Sequence, residues 1–378
     1  MSFCAARGNG NHTNWQSKFI KRKVQIALTD KLRILCVGTG AIGTYIGGSL
    51  ALAKHRVVFV DRTGIANEVR RRGLRLKLGG TEYQVDSPMV VETVGEAFRT
   101  GAYDVVLLAV KSFDTMEFVN SIKPYVSVFP PVLCLQNGVE NETLLAGVLG
   151  VDRVIAATVT SAVGRRAAGD IVLERRRGVG IARGHPLSQK LADAMTEAGL
   201  RARLYERVDS MKWSKMLTNL MGNATAAILN MTPAEVFADR FGGWMELLQL
   251  REALTVMEAL KIPVIDLPAT PVRAVSWMVC SLPAFISRHL LQWGVGKGRG
   301  AKMPSFHIDL HSGRGKSEVV YLNGAVARFG EQVKVDTPVN RILTNVLLSM
   351  TEGQMSLDQF ARRPDRLWKY LTEQMGKI

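Results

Sequence analysis

The chain has 378 residues, 47% of them hydrophobic, and its 49 Lys and Arg against 33 Asp and Glu give a formal net charge of +16. That length and apolar content exclude a disordered chain and leave room for two domains with ordinary cores. The basic excess favours anionic partners, but it is dispersed in short clusters such as Arg70-Arg71-Arg72 and Arg175-Arg176-Arg177 without interleaved aromatics, so cofactor phosphates or an acidic small substrate are expected and nucleic acid is not.

Residues 1–30 contain no long apolar core and carry Arg7, Lys18, Lys21, Arg22 and Lys23 with Asp30 as the only acid. They read as a flexible extension or a misassigned start, with an organellar transit segment as the alternative, and a secretory signal is not expected. Cys4, Cys36, Cys134 and Cys280 form no metal or disulfide spacing, and Cys36 and Cys134 sit inside apolar runs. Free thiols of that kind fit a reducing compartment, so a cytoplasmic location is expected.

The first element is a buried strand at residues 34–37, which breaks into Gly38-Thr39-Gly40-Ala41-Ile42-Gly43 before small and apolar residues continue at helical spacing. Strand, glycine turn and helix together make a dinucleotide-binding pattern. Gly38 permits the tight turn, Gly40 lets a pyrophosphate approach the backbone, and Gly43 lets the helix pack on its strand. A second apolar run, residues 57–60, ends in Asp61-Arg62, with Asp61 23 residues after Gly38, where the cofactor ribose is read. Asp61 suits a free 2′-hydroxyl and Arg62 a 2′-phosphate, which leaves NAD and NADP both open.

Residues 74–78 and 83–85 flank Gly79-Gly80 and predict a β-hairpin. Residues 104–110 and 131–136 are continuously apolar, as strands of a parallel sheet covered on both faces must be. Further strands are expected at 154–159, 170–173, 179–182 and 201–205, with a helix at 188–198, so a Rossmann-like α/β domain is expected over 31–206. From residue 208 Met, Leu and Ala recur at three- and four-residue intervals and strand signals disappear, which predicts an all-α domain over 207–352. Prolines and glycines interrupt it at about 267–304, read as an insertion of two short helices and a flexible basic loop. The apolar span 272–291 is about membrane length, but Arg273, Pro283, Arg288 and His289 break it, so no integral membrane segment is expected and a peripheral membrane contact is the alternative. Helical pattern returns at 317–330 and 338–348, and residues 353–378 read as an appended tail.

Several polar residues stand where chemistry would be placed. Lys215, Asn219 and Asn223 are spaced at i, i+4 and i+8. At ~100° per residue each step drifts only ~40°, which puts an ammonium and two amides on one helical face. Lys111 and Asn137 follow apolar strands, where ligands collect in open α/β sheets. Glu318 suits the first turn of a helix, and Ser305 suits either a helix cap or a contact to a substrate carboxylate. His307, Asp309 and His311 lack a convincing further ligand, and no metal is expected.

The ordered set of these motifs resembles the ketopantoate reductase family. It comprises Gly38-x-Gly40-Ala-Ile-Gly43, Ala109-Val-Lys111, Leu135-Gln-Asn137-Gly138, the Lys215/Asn219/Asn223 segment, Pro304-Ser305 followed by Asp309, Ser317-Glu318, Leu322-Asn323-Gly324 and Thr337-Pro338-Val339-Asn340. The resemblance implies reduction of 2-dehydropantoate to (R)-pantoate by NADPH, in pantothenate and coenzyme A biosynthesis. It implies Lys215 as proton donor, Glu318 engaging the substrate and that lysine, and Asn219, Asn223, Asn137 and Ser305 on the substrate. Gly38, Thr39, Gly40, Ala41, Ile42, Gly43 and Arg62 would hold the cofactor, with Lys111, Asn137 and Glu318 bordering it. Asp61 departs from the small residue usual before such an arginine and keeps NADH open. A related 2-oxo or 3-hydroxy acid dehydrogenase, or a non-catalytic NAD(P)-binding regulator, is the alternative. A homodimer is compatible with all of these.

Overall fold

The computed structural model describes residues 31–299 and 302–376, so the expected extension over residues 1–30 lies outside the described residues. Twelve strands are described: β1 Arg33–Val37, β2 Arg56–Val60, β3 Leu74–Leu78, β4 Thr81–Val85, β5 Met89–Val91, β6 Val105–Leu108, β7 Val132–Cys134, β8 Val154–Val159, β9 Ala162–Ala167, β10 Asp170–Arg175, β11 Val179–Ala182 and β12 Ala202–Tyr205. Among them run helices α1 Ala41–Leu52, α2 Thr63–Arg72, α3 Val94–Arg99, α4 Thr115–Ile122, α5 Asn141–Leu149 and α6 Ser188–Glu197.

An eight-stranded sheet takes the order β12-β11-β8-β7-β6-β1-β2-β5. From β5 to β8 every pairing is parallel; β11 then pairs antiparallel with β8, and β12 parallel with β11. The chain order reverses between β1 and β6, which opens a crevice at their carboxyl ends. Side chains from the two sheet faces enter separate cores, with Ile34, Cys36 and Leu107 on one and Leu35, Val106 and Leu108 on the other. That alternation explains why these strands read as unbroken apolar runs.

The predicted hairpin forms, with Leu76 opposite Tyr83. It belongs to a second, four-stranded sheet, β4-β3-β10-β9, in which β10 pairs parallel with β3. The 170–173 run therefore leaves the main sheet. β5 and β9 escape the sequence reading, because β5 has three residues and β9, Ala-Val-Gly-Arg-Arg-Ala, lacks apolar alternation.

After β12 the chain is helical: α7 Val208–Leu220, α8 Ala224–Leu229, α9 Pro233–Ala238, α10 Arg240–Ala259, α11 Val272–Ser281, α12 Ala284–Arg299, α13 Ser305–Leu310, α14 Asn323–Gln332, α15 Pro338–Thr351 and α16 Pro364–Met375. One hydrophobic core joins them and reaches Ala156, Ala182 and Tyr205 of the sheet. Two expectations change here. The basic loop expected after residue 293 is helical through Arg299, because α12 continues past Gly294. Residues 353–378, expected as a tail, contain α16, whose Leu367 and Leu371 are buried in the helical core.

Candidate active site

Gly38 leaves β1 at φ +95°, and a Cβ on Gly43 would lie 1.8 Å from the Gly38 carbonyl oxygen, so α1 packs on the turn only because Gly43 has no side chain. A Cβ on Gly40 would meet nothing within 4 Å. Gly40 is also the N-cap of α1 and supplies no side-chain cap. The turn thus combines open space with helix-terminal amides, the features a pyrophosphate requires. Thr39 N and Oγ1 each donate to Asp61 Oδ2 at 2.6 Å, and Arg62 N donates to Asp61 Oδ1 at 2.9 Å. The Asp61 carboxylate is thereby tied to the glycine turn and its own loop, while Arg62 is exposed at the start of α2.

Lys111 lies just beyond β6 on the other side of the crevice. Its Nζ sits 2.8 Å from Glu318 Oε2 and 3.0 Å from Asp309 Oδ2, which joins the sheet to the helical half. The other oxygen of Glu318 accepts from Ser112 N and Ser112 Oγ, both at 3.2 Å. The Glu318 side chain is 3% exposed and that of Lys111 36%. Burial alone would lower the lysine pKa, but Glu318 and Asp309 outweigh it and hold the value well above the ordinary one. Burial would likewise raise Glu318, yet Lys111 and the Ser112 donors keep it below a normal carboxylate. Asp309 ends up raised, because burial and the nearby Glu318 charge exceed the pull of Lys111.

Asn137 follows β7 in the loop that leads to α5. Its carbonyl accepts from Ser112 Oγ at 2.9 Å and Asn141 Nδ2 at 2.6 Å, and its Oδ1 accepts from Asn219 Nδ2 at 2.9 Å. Asn223 Nδ2 donates to the Asn219 carbonyl at 3.0 Å and lies 3.3 Å from Ser305 Oγ, while its Oδ1 accepts from Phe306 N at 3.1 Å. Lys215 is half-buried on α7, one turn before Asn219.

The sequence placed Lys215, Asn219 and Asn223 on one helix, and this is corrected: α7 stops at Leu220, and Gly222, at φ +56°, turns the chain so that Asn223 is the N-cap of α8. A Cβ on Gly222 would lie 2.8 Å from the Pro233 Cβ, which fixes that turn against α9. Ser305 is not the cap of α13; Pro304 is, and the serine hydroxyl faces Asn223. Glu318 was read as a partner of Lys215, whereas its carboxylate oxygens are held by Lys111 and Ser112. His307 Nε2 lies 3.0 Å from Asn230 Oδ1, and among the described residues no group of three metal-ligating side chains occurs.

Ser112, Asn141 and Lys212 were missed. Lys212 Nζ donates to the carbonyls of Gln136 at 2.8 Å and Ala157 at 3.3 Å and pairs with Glu142 Oε1 at 2.7 Å. The available signal was position alone: Ser112 adjoins Lys111, and Asn141 opens a helix one turn after Asn137.

Two models of one family match in tandem: "Ketopantoate reductase PanE/ApbA" over residues 34–184 and its C-terminal counterpart over residues 207–351. The chain belongs to the ketopantoate reductase family. It is accordingly an NAD(P)-dependent oxidoreductase of that family, with a Rossmann-like sheet followed by a helical region. A 2-dehydropantoate 2-reductase of Streptococcus pyogenes serotype M3 is 24% identical over 319 residues, covering 83% of this chain and 96% of its own. The crystal structure of a PanE/ApbA family ketopantoate reductase from Ralstonia eutropha JMP134 superposes with TM-score 0.71 at 25% identity, covering 85% of this chain and 99% of that one. D-mandelate dehydrogenase with NADH and anilino(oxo)acetate shares the fold at TM-score 0.70 and 21% identity, over 85% of this chain and 99% of that one.

Proposed function

We propose that the chain reduces a 2-oxo acid with NADPH, and that the acid is 2-dehydropantoate, converted to (R)-pantoate for pantothenate and coenzyme A synthesis. The observation that carries this reading is the convergence of Lys111, Glu318, Asp309, Asn137 and Asn219 at the carboxyl end of β6 and β7, beside the glycine turn. The amides of residues 38–43 would hold the cofactor pyrophosphate, and Arg62 the 2′-phosphate, since Asp61 already accepts three hydrogen bonds from the turn and its own loop. When bound, the nicotinamide supplies the hydride.

Negative charge then grows on the keto oxygen, and the Lys215 ammonium hydrogen-bonds and protonates it. Asn219, held by Asn137, and Asn223 with Ser305 orient the substrate hydroxyl and carboxylate. Lys111, Glu318 and Ser112 tie the cofactor side of the cleft to its substrate side. The test is oxidation of NADPH and of NADH by purified protein across a panel of 2-oxo acids. Highest kcat/KM for 2-dehydropantoate with NADPH supports the whole reading. A bulkier 2-oxo acid at the top replaces the substrate assignment, and no turnover with any of them removes the reductase assignment.

A further inference from the structure

The α11–α12 hairpin contributes no residue to the proposed reaction. Its inner face is secured: Val272, Val279 and Leu291 are buried, Ser287 Oγ donates to the Met278 carbonyl at 2.7 Å, and Arg251 of α10 donates to the Val279 carbonyl at 3.2 Å. Its outer face exposes Trp277 (59%), Phe285 (62%) and Trp293 (65%), with Leu290 beside them. Phe285, His289 and Trp293 recur at every fourth residue and form one stripe along α12. Exposed Arg273 lies one turn before Trp277 on α11. Between Asp266 and Asp309 the sequence contains no acidic residue, while Arg273, Arg288, Lys297, Arg299 and Lys302 all fall there.

We propose that this hairpin face docks the protein on an anionic lipid surface. Large aromatics at headgroup depth, with Arg273 and Arg288 on the same two helices and no acidic residue in either helix, match the charge and the amphipathic character of that interface, although Asp266 Oδ1 accepts from Arg273 N at 2.9 Å and Lys302 is paired with Glu174 Oε1 at 2.5 Å. Among the described residues no helix is long and apolar enough to cross a membrane, and Pro283 separates α11 from α12, so the pair lies on the surface. A second copy fits less well, because α11 and α12 offer Arg273 and Arg288 but no carboxylate of their own to pair with the same residues of another copy. Residues 1–30, with Arg7, Lys18, Lys21, Arg22 and Lys23 against Asp30, carry the same sign and are no better suited. Nucleic acid would engage the cations but gains nothing from Phe285 and Leu290.

The full chain is tested by sedimentation with phosphatidylcholine vesicles, with and without phosphatidylserine, alongside the triple variant Trp277→Ser, Phe285→Ser, Trp293→Ser and the variant Arg273→Glu. These side chains are exposed, so circular dichroism and thermal unfolding should match the parent. The expected result is binding only to phosphatidylserine vesicles, weakened at least about tenfold in the triple variant and several-fold in Arg273→Glu. Three results overturn the proposal: no binding by the parent, equal binding by parent and triple variant, which would trace it to the overall positive charge, or a concentration-dependent dimer abolished by the triple variant without any vesicle binding.

Discussion

Glu142→Gln should be among the most destabilising single changes available at the edge of the cleft. Lys212 is buried with 5% of its side chain exposed, and its ammonium meets Glu142 Oε1 at 2.7 Å while donating to the carbonyls of Gln136 and Ala157. These contacts tie α7, the helix of Lys215 and Asn219, to the loop after β7 that carries Asn137. Removing one member of a buried pair leaves an uncompensated charge and costs ~3–5 kcal/mol. Two carbonyl acceptors stay in place for Lys212, which puts the expected loss at the lower end, about 3 kcal/mol, or roughly 5 °C in Tm for a chain of this size.

The double variant Glu142→Gln, Lys212→Met removes the charge as well. It should recover ~1–2 kcal/mol of that loss, leaving a similar amount for the two carbonyls without their donor. The sign with pH follows from the raised pKa of Lys212, in which Glu142 outweighs the burial that would lower it. In the parent, the stabilisation is complete below the unfolded lysine pKa and is lost as pH rises through the folded one. In Glu142→Gln burial is unopposed, so its deficit should shrink as pH rises and the amine goes neutral. Urea unfolding followed by tryptophan fluorescence measures all three proteins. A loss below about 1 kcal/mol in the single variant, or a double variant no more stable than the single, would refute the reasoning.

Three further outcomes are expected. Glu252 accepts hydrogen bonds from Val339 N, Asn340 N and Asn340 Nδ2 at the start of α15, and burial raises its pKa from 4.5 to about 7 despite those donors. A carboxylate raised on folding contributes stability below its unfolded pKa that is lost as pH rises through the window from 4.5 to about 7, worth up to ~3 kcal/mol, so Glu252→Gln should flatten that part of the stability profile. Glu318→Gln takes one of two carboxylates from Lys111 and should cut kcat/KM about ten- to hundredfold with a small change in NADPH Kd by fluorescence titration; an unchanged kcat/KM would remove Glu318 from the site. Arg62→Ser should lower kcat/KM with NADPH by about tenfold or more and leave NADH nearly unaffected, whereas equal losses with both would reassign Arg62 to structure.

The glycine turn and the apolar strands were legible in the sequence because each is a local backbone demand written in residue type. What depended on distant pairing was not. The hairpin at 74–85 was visible, but its partnership with β10 in a second sheet is a parallel pairing across about a hundred residues that no local pattern records. Helical spacing over Lys215, Asn219 and Asn223 was correct arithmetic applied across a break, since Gly222 ends the helix two residues after Leu220. Lys212 was passed over because nothing in its neighbours announces Glu142 or the carbonyls of Gln136 and Ala157. Glu318 was recognised, yet its partner was not, because Lys111 and Ser112 come from the other half of the fold.

The central claim, that the cleft reduces a 2-oxo acid with Lys215 as proton donor, is tested most directly by initial rates with 2-dehydropantoate and NADPH for the parent and Lys215→Ala, with NADPH Kd measured on both. The account predicts turnover by the parent, a kcat lower by about 10²–10⁴-fold in the variant, and a nearly unchanged Kd, because the pyrophosphate would be held at the glycine turn. An active parent whose Lys215→Ala variant keeps near-normal kcat would contradict it.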